Sequence, residues 1–146
     1  MPKFIFGEEK AGVIYVSGWN SCYPLQESKR KGIDKLIGAC INDGKLYIGE
    51  SAGSIILAPN IEYIRRMDDA SVAESLENYE AISAINFYLV PHYNSIPFKG
   101  AVNKIIKEYN DNIPLVAISN NQAVIIENDG KRTITKGVKF LFISQY

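Results

Sequence analysis

The sequence predicts an α/β fold with a mostly parallel sheet, and three observations predict it. Short apolar runs alternate with helix-period segments between Gly12 and Ala58, turn residues close each run, and the last quarter of the chain reads as strands alone. Strand, helix, strand, helix in this order implies parallel strands joined by right-handed crossovers. Gly12-Val13-Ile14-Tyr15-Val16 is a continuous apolar run of the kind covered on both faces of a sheet, and Ser17-Gly18-Trp19-Asn20 breaks it. Pro24 suits the first turn of a helix, and Leu25, Ile33, Leu36, Ile37 and Cys40 follow at helical spacing, predicting one helix over 24–41 that ends at Asn42-Asp43-Gly44. Lys45-Leu46-Tyr47-Ile48 is the next strand, and Ser54-Ile55-Ile56-Leu57-Ala58 has helical character.

Beyond Ala58, residues 61–67 are mixed in pattern, and the polar, acidic stretch 68–78 predicts a loop or a short helix. Residues 84–90 read as a buried strand stopped by Pro91, which leaves His92 just past a strand's C-terminal end. Val102, Ile105 and Ile106 predict a helix within 100–109, and residues 114–118 a further strand. Residues 123–127, 132–136 and 138–143 predict a C-terminal antiparallel β meander, with Asn128-Asp129-Gly130 as a hairpin turn.

With 146 residues, the chain predicts a single domain over 1–146 with no repeat, low-complexity stretch or linker. Sixteen basic residues balance sixteen acidic ones, and Lys29-Arg30-Lys31, the densest basic run, falls on the polar face of the predicted helix. Nucleic-acid binding asks for a one-sided basic footprint with stacking aromatics, so nucleic acid is not an expected partner. No apolar run reaches the length of a membrane span and the N-terminus has no apolar signal core, so membrane insertion is not expected either. Two cysteines, Cys22 and Cys40, make neither a disulfide framework nor a metal-type pair, and with one histidine no metal or other cofactor is expected. These features point to a cytoplasmic protein with reduced thiols.

The chemistry concentrates at Gly49-Glu50-Ser51-Ala52-Gly53, between a strand and a helix. A nucleophile elbow needs this layout, because the serine backbone is strained and bulky neighbours two positions away would strike the facing strand and helix. In open α/β sheets ligands bind outside the carboxyl ends of strands. Three polar groups reach such ends: Ser17 to Asn20, Ser51, and His92. Acyl transfer needs a nucleophile, a base and oxyanion donors. Ser51 supplies the first and His92, the only histidine, the second; the Ala52 N–H, with an N–H from Gly18 or Trp19, supplies the third. The base also needs a partner to fix its tautomer. Spacing alone leaves Asp68, Asp69 and Glu50 open for that role, with Glu62, Glu74 and Glu77 behind them.

Residues 14–127 resemble the peptidase E family of serine dipeptidases, the aspartyl dipeptidases. The resemblance is carried by Gly49-Glu50-Ser51-Ala52-Gly53, Pro59-Asn60-Ile61, Met67-Asp68-Asp69, Val90-Pro91-His92-Tyr93-Asn94 and Ser119-Asn120-Asn121-Gln122-Ala123-Val124. It implies a doubly wound, mostly parallel sheet with helices on both faces, like that of class I glutamine amidotransferases and flavodoxin-like proteins. It implies Ser51 as nucleophile, His92 as base and Asp68 as third member, with Asp69 its rival, acting on small peptides with an aspartyl N-terminal residue. A cysteine-nucleophile amidotransferase is disfavoured, because the elbow carries serine while both cysteines lie on or beside the 24–41 helix.

Two departures stand out. The family's glycine-rich first loop is here Ser17-Gly18-Trp19-Asn20, so Trp19 is expected to crowd the site. The family also places about two βα units before the strand at 12–16, where this chain has only Met1 to Ala11. An open strand edge and uncovered apolar face favour association. The expectation is therefore a homodimer formed through the N-terminal forty residues, with Met1–Gly7 pairing as an edge strand. The alternative to a peptidase is a catalytically inactive shortened paralogue that acts as a binding module.

Overall fold

In the computed structural model, residues 12–137 and 141–143 are described. Strand β1 (Val13–Gly18) leads into helices α1 (Cys22–Arg30) and α2 (Ile33–Asn42), which carry the chain back to β2 (Leu46–Ser51). The two strands are parallel and aligned from Val13 opposite Leu46 to Gly18 opposite Ser51. The predicted single helix over 24–41 is thus two helices. Gly32 takes φ +69° at the break, and the Lys31 and Gly32 N–H groups close α1 on the carbonyls of Glu27 and Lys29. Leu25 of α1 and Ile37 and Ile41 of α2 are buried in one core cluster with Val16 and Tyr47 of the sheet. Burial of each such side chain stabilises by about 1.5–3 kcal/mol.

The four-residue helix α3 (Ala52–Ile55) follows β2 directly, and the chain then runs through 3-10 turns at Glu62–Arg66 and Ala70–Val72. Of the strand expected over 84–90, only β3 (Tyr88–Val90) pairs as a strand. Residues Ile82 to Ile85 instead donate their N–H groups to the carbonyls of Ile56, Ala58 and Leu57, which ties this segment to the chain after α3. Helix α4 (Lys99–Tyr109) leads to β4 (Leu115–Ala117), parallel to β3. The hairpin of β5 (Gln122–Ile126) and β6 (Arg132–Lys136) turns at Gly130, φ +79°.

The sheet organisation differs from a single doubly wound sheet. A five-stranded mixed sheet runs β1-β2-β7-β5-β6, and β3 and β4 form a second, two-stranded parallel sheet. The C-terminal strands also depart from a meander. Strand β7 (Leu141–Ile143) leaves the hairpin and fits between β2, to which it is antiparallel, and β5, to which it is parallel. The edge of β2 that a doubly wound sheet would give to another parallel strand is therefore taken. Strand β1 has one partner among the described residues, and its Val13 and Tyr15 are exposed. The expected pairing of Met1–Gly7 and the start of the predicted 138–143 strand lie outside the described residues.

Candidate active site

Ser51 ends β2 and sits at φ +49°, ψ −112°, a region that L-residues with side chains occupy only under constraint. The surrounding contacts show what holds it there. A Cβ on Gly53 would lie 2.0 Å from the Val16 carbonyl oxygen, and one on Gly49 would lie 2.7 Å from the Gly53 oxygen. Backbone therefore meets backbone at both glycines, and only hydrogen fits. The buried Tyr47 hydroxyl donates to the Gly53 carbonyl at 2.6 Å, and the Ser54 hydroxyl donates to the Ser51 carbonyl at 2.6 Å. The first turn of α3 is thereby bound to the strand that feeds it.

His92 follows β3 and Pro91, and it too is left-handed, at φ +64°. Its Nε2 lies 3.2 Å from Ser51 Oγ and its Nδ1 lies 2.8 Å from Asn120 Oδ1. The Phe98 ring stacks on the imidazole, with centroids 4.7 Å apart. Ser51, His92 and Asn120 line one cleft of about 140 Å3, together with Gly49, Glu50 and Gln122. A larger cleft, about 770 Å3, lies along residues 83–87 and Arg132. Among its described residues Arg132 is the one ionisable group, so it brings no nucleophile and base together.

The acidic candidates are placed apart from the imidazole. Asp68, expected to orient His92, is buried and accepts the Ser21 N–H at 2.7 Å, at the entry to α1. Burial pushes its carboxyl above the ordinary aspartate range, against the opposing pull of the Ser21 hydrogen bonding; the charge of His92 acts on it more weakly. Asp69 is exposed and accepts the Ser71 N–H at 2.8 Å, which holds its carboxyl below the usual range. Glu50 takes the hydroxyls of Tyr15 and Ser17, at 2.6 and 3.0 Å. The hydrogen-bond partner at His92 Nδ1 is thus Asn120, which sequence reasoning did not single out beyond its place in the Ser119–Val124 motif. An amide in a turn carries no charge or spacing signal that marks it as a partner for histidine.

A clamp fixes the loop that precedes α1. Asn20 Oδ1 accepts the N–H groups of Cys22 and Tyr23, its Nδ2 donates to the Asp69 carbonyl, and Asp68 holds Ser21. Cys22 lies fully buried behind this clamp, and burial pushes its thiol up to about 11. Gly18 stands directly across from Ser51 in the β1–β2 register. Trp19, expected to crowd the site, is 99% exposed and projects into solvent. Ala52 is the first residue of α3, where helical geometry leaves N–H groups without an intrahelical acceptor.

A strained serine thus stands between two sterically obligatory glycines, with an imidazole at hydrogen-bond distance. The model of peptidase family S51 matches residues 8–134. The chain belongs to peptidase family S51. It is 47% identical over 127 residues to an uncharacterized peptidase of Listeria innocua, covering 87% of this chain and 60% of that protein. It is 31% identical over 90 residues to peptidase E of Salmonella newport, covering 61% of this chain and 38% of that protein. A crystal structure of a candidate peptidase E protein from Listeria monocytogenes EGD-e superposes with a TM-score of 0.74 at 41% identity, covering 92% of this chain and 60% of that one. The chain thus spans about three fifths of the length of the two Listeria proteins and about two fifths of the Salmonella peptidase E. Among the described residues no group of three or more His, Cys, Asp or Glu is placed to hold a metal ion, and no helix is long and apolar enough to cross a membrane.

Proposed function

We propose that this S51 family member is a serine peptidase that cleaves small peptides, with Ser51 as nucleophile and His92 as general base. The observation that carries the reading is the 3.2 Å approach of His92 Nε2 to Ser51 Oγ at a residue held at φ +49°. Backbone strain of this kind costs about 1–3 kcal/mol and persists where surrounding structure enforces it, commonly at reactive sites. Ser51 Oγ attacks the scissile carbonyl while its proton passes to Nε2. The N–H groups of Ala52 and the Gly18–Trp19 loop receive the developing oxyanion, and Nε2–H then protonates the departing amine. Water repeats the sequence on the acyl-enzyme. Asp68 and Asn20 serve this step by fixing the loop after Gly18. A substrate with an aspartyl N-terminal residue follows from the peptidase E resemblance.

The test is hydrolysis of an aspartyl dipeptide and of an aspartyl chromogenic amide by the purified chain, with Ser51→Ala alongside. Expected is activity that Ser51→Ala lowers by ~10³-fold or more, with an active-site fluorophosphonate labelling Ser51 alone. Absence of both turnover and labelling would favour the binding-module reading. Strand β1 has one partner among the described residues and its Val13 is 48% exposed, which supports a homodimer formed through that strand. Light scattering should give twice the chain mass, and Val13→Lys should give the monomer; a wild-type monomer at micromolar concentration overturns the dimer.

A further inference from the structure

We propose that Asn120 is the positioning residue for His92: its side-chain carbonyl receives Nδ1–H, so this chain orients its imidazole with a neutral amide where the expected partner is a carboxylate. The hydrogen-bond logic leaves one arrangement. For Ser51 to give its proton to Nε2, that nitrogen must be the unprotonated one, so the hydrogen of neutral His92 sits on Nδ1, 2.8 Å from Asn120 Oδ1. Among the described residues no other acceptor is within hydrogen-bond distance of Nδ1. Phe98 covers one face, and Asp68, the charged group that senses His92, is committed to Ser21.

Asn120 is itself held for the task. The loops after β3 and β4 are joined by Ile118 N–H to the Val90 carbonyl at 3.0 Å and Tyr93 N–H to the Ile118 carbonyl at 2.9 Å, on either side of His92. The Ser119 N–H and hydroxyl both donate to Gln122 Oε1, and the Gly137 N–H takes the Asn121 carbonyl at 2.7 Å. The turn that carries Asn120 is therefore fixed from three directions, and the distance between amide and imidazole is set by two adjacent strands. A carboxamide accepts Nδ1–H from imidazole and imidazolium alike, but supplies no charge to the latter. It fixes geometry and tautomer without adding a negative charge next to the ring.

His92 is the only histidine of the chain, so its ring nitrogens give an unambiguous nitrogen-15 NMR signature, read at alkaline pH where an imidazole is neutral. The wild type should show the Nδ1–H tautomer as the major form. Asn120→Ala should shift the population toward Nε2–H, Asn120→Asp should preserve Nδ1–H, and Asp68→Asn should leave it unchanged. Asn120 is exposed, so these substitutions leave the core intact. The kinetic part rests on the serine peptidase reading: Asn120→Ala should lower kcat by ~10²-fold with KM within about twofold, and Asn120→Asp should restore it. An Nε2–H tautomer in the wild type, an unchanged tautomer in Asn120→Ala, or an equal shift in Asp68→Asn overturns the proposal. A tautomer that behaves as expected in a chain without hydrolytic activity would leave the positioning role standing and fail the peptidase reading alone.

Discussion

The two halves of the site are built by different forces. On the serine half, steric exclusion does the positioning: a Cβ at Gly53 would meet the Val16 oxygen at 2.0 Å, and one at Gly49 would meet the Gly53 oxygen at 2.7 Å. On the histidine half, positioning comes from hydrogen bonds between two loops that follow strands of three residues each. Close packing tolerates almost no change in volume, whereas a surface hydrogen bond contributes only about 0.5–1.5 kcal/mol. The serine half should therefore fail by unfolding and the histidine half by loss of function in a folded chain.

Gly53→Ala gives the largest break. The added methyl has no room unless β1 and α3 separate, so destabilisation of about 3 kcal/mol or more is expected. The measurement is the midpoint of chemical denaturation, or the loss of soluble protein. A Gly53→Ala chain as stable as wild type would show that sterics do not hold the elbow.

Asp68 belongs to neither half, holding instead the loop after Gly18 through Ser21, and its substitutions sharpen the contrast. Asp68→Ala leaves the Ser21 N–H without its acceptor, which should cost about 1–3 kcal/mol; Asp68→Asn keeps a carbonyl oxygen there and should cost less. The pH dependence has a definite sign. Burial raises the folded-state pKa of Asp68 above its unfolded value, so between those two values the native chain binds more protons than the unfolded one. This residue's contribution to stability therefore grows as the medium is acidified from neutrality toward the ordinary aspartate range. The wild-type melting temperature, measured relative to Asp68→Asn, should rise from pH 7 to pH 4. A relative fall would mean that the folded-state pKa is lowered.

The smallest expected effect is a gain. Ser51→Gly removes the side chain that makes φ +49° costly, and should stabilise the inactive chain by about 1 kcal/mol, or about 3 °C in melting temperature. Ser51→Ala, which keeps a Cβ, should not show this gain. Equal melting temperatures for the two variants would indicate that the elbow stores no strain.

This contrast also explains what was legible in the sequence. Gly49, Ser51 and Gly53 are readable because the geometry admits almost no alternative residues, and the position of His92 follows from a strand end marked by Pro91. The partner of His92 is not readable in the same way. A carboxylate is the usual choice, several were present, and the amide that touches the ring sits in a turn whose residues look like ordinary loop polarity. The break at Gly32 was hidden because helical spacing of apolar residues continues across it. The insertion of β7 between β2 and β5 is a long-range pairing that strand patterns do not encode.

The clamp at the entry to α1 has a practical corollary. Cys22 lies behind the Asp68–Ser21 bond, fully buried and with its thiol pushed up to about 11, whereas Cys40 is half-buried on α2. A thiol reagent at neutral pH should modify Cys40 promptly and Cys22 only when the segment around residues 20–22 opens. The rate of the slow modification then measures how often the loop beside Gly18 comes free, in the folded protein and without any substrate. The chain carries its own internal clock for the mobility of its proposed oxyanion loop.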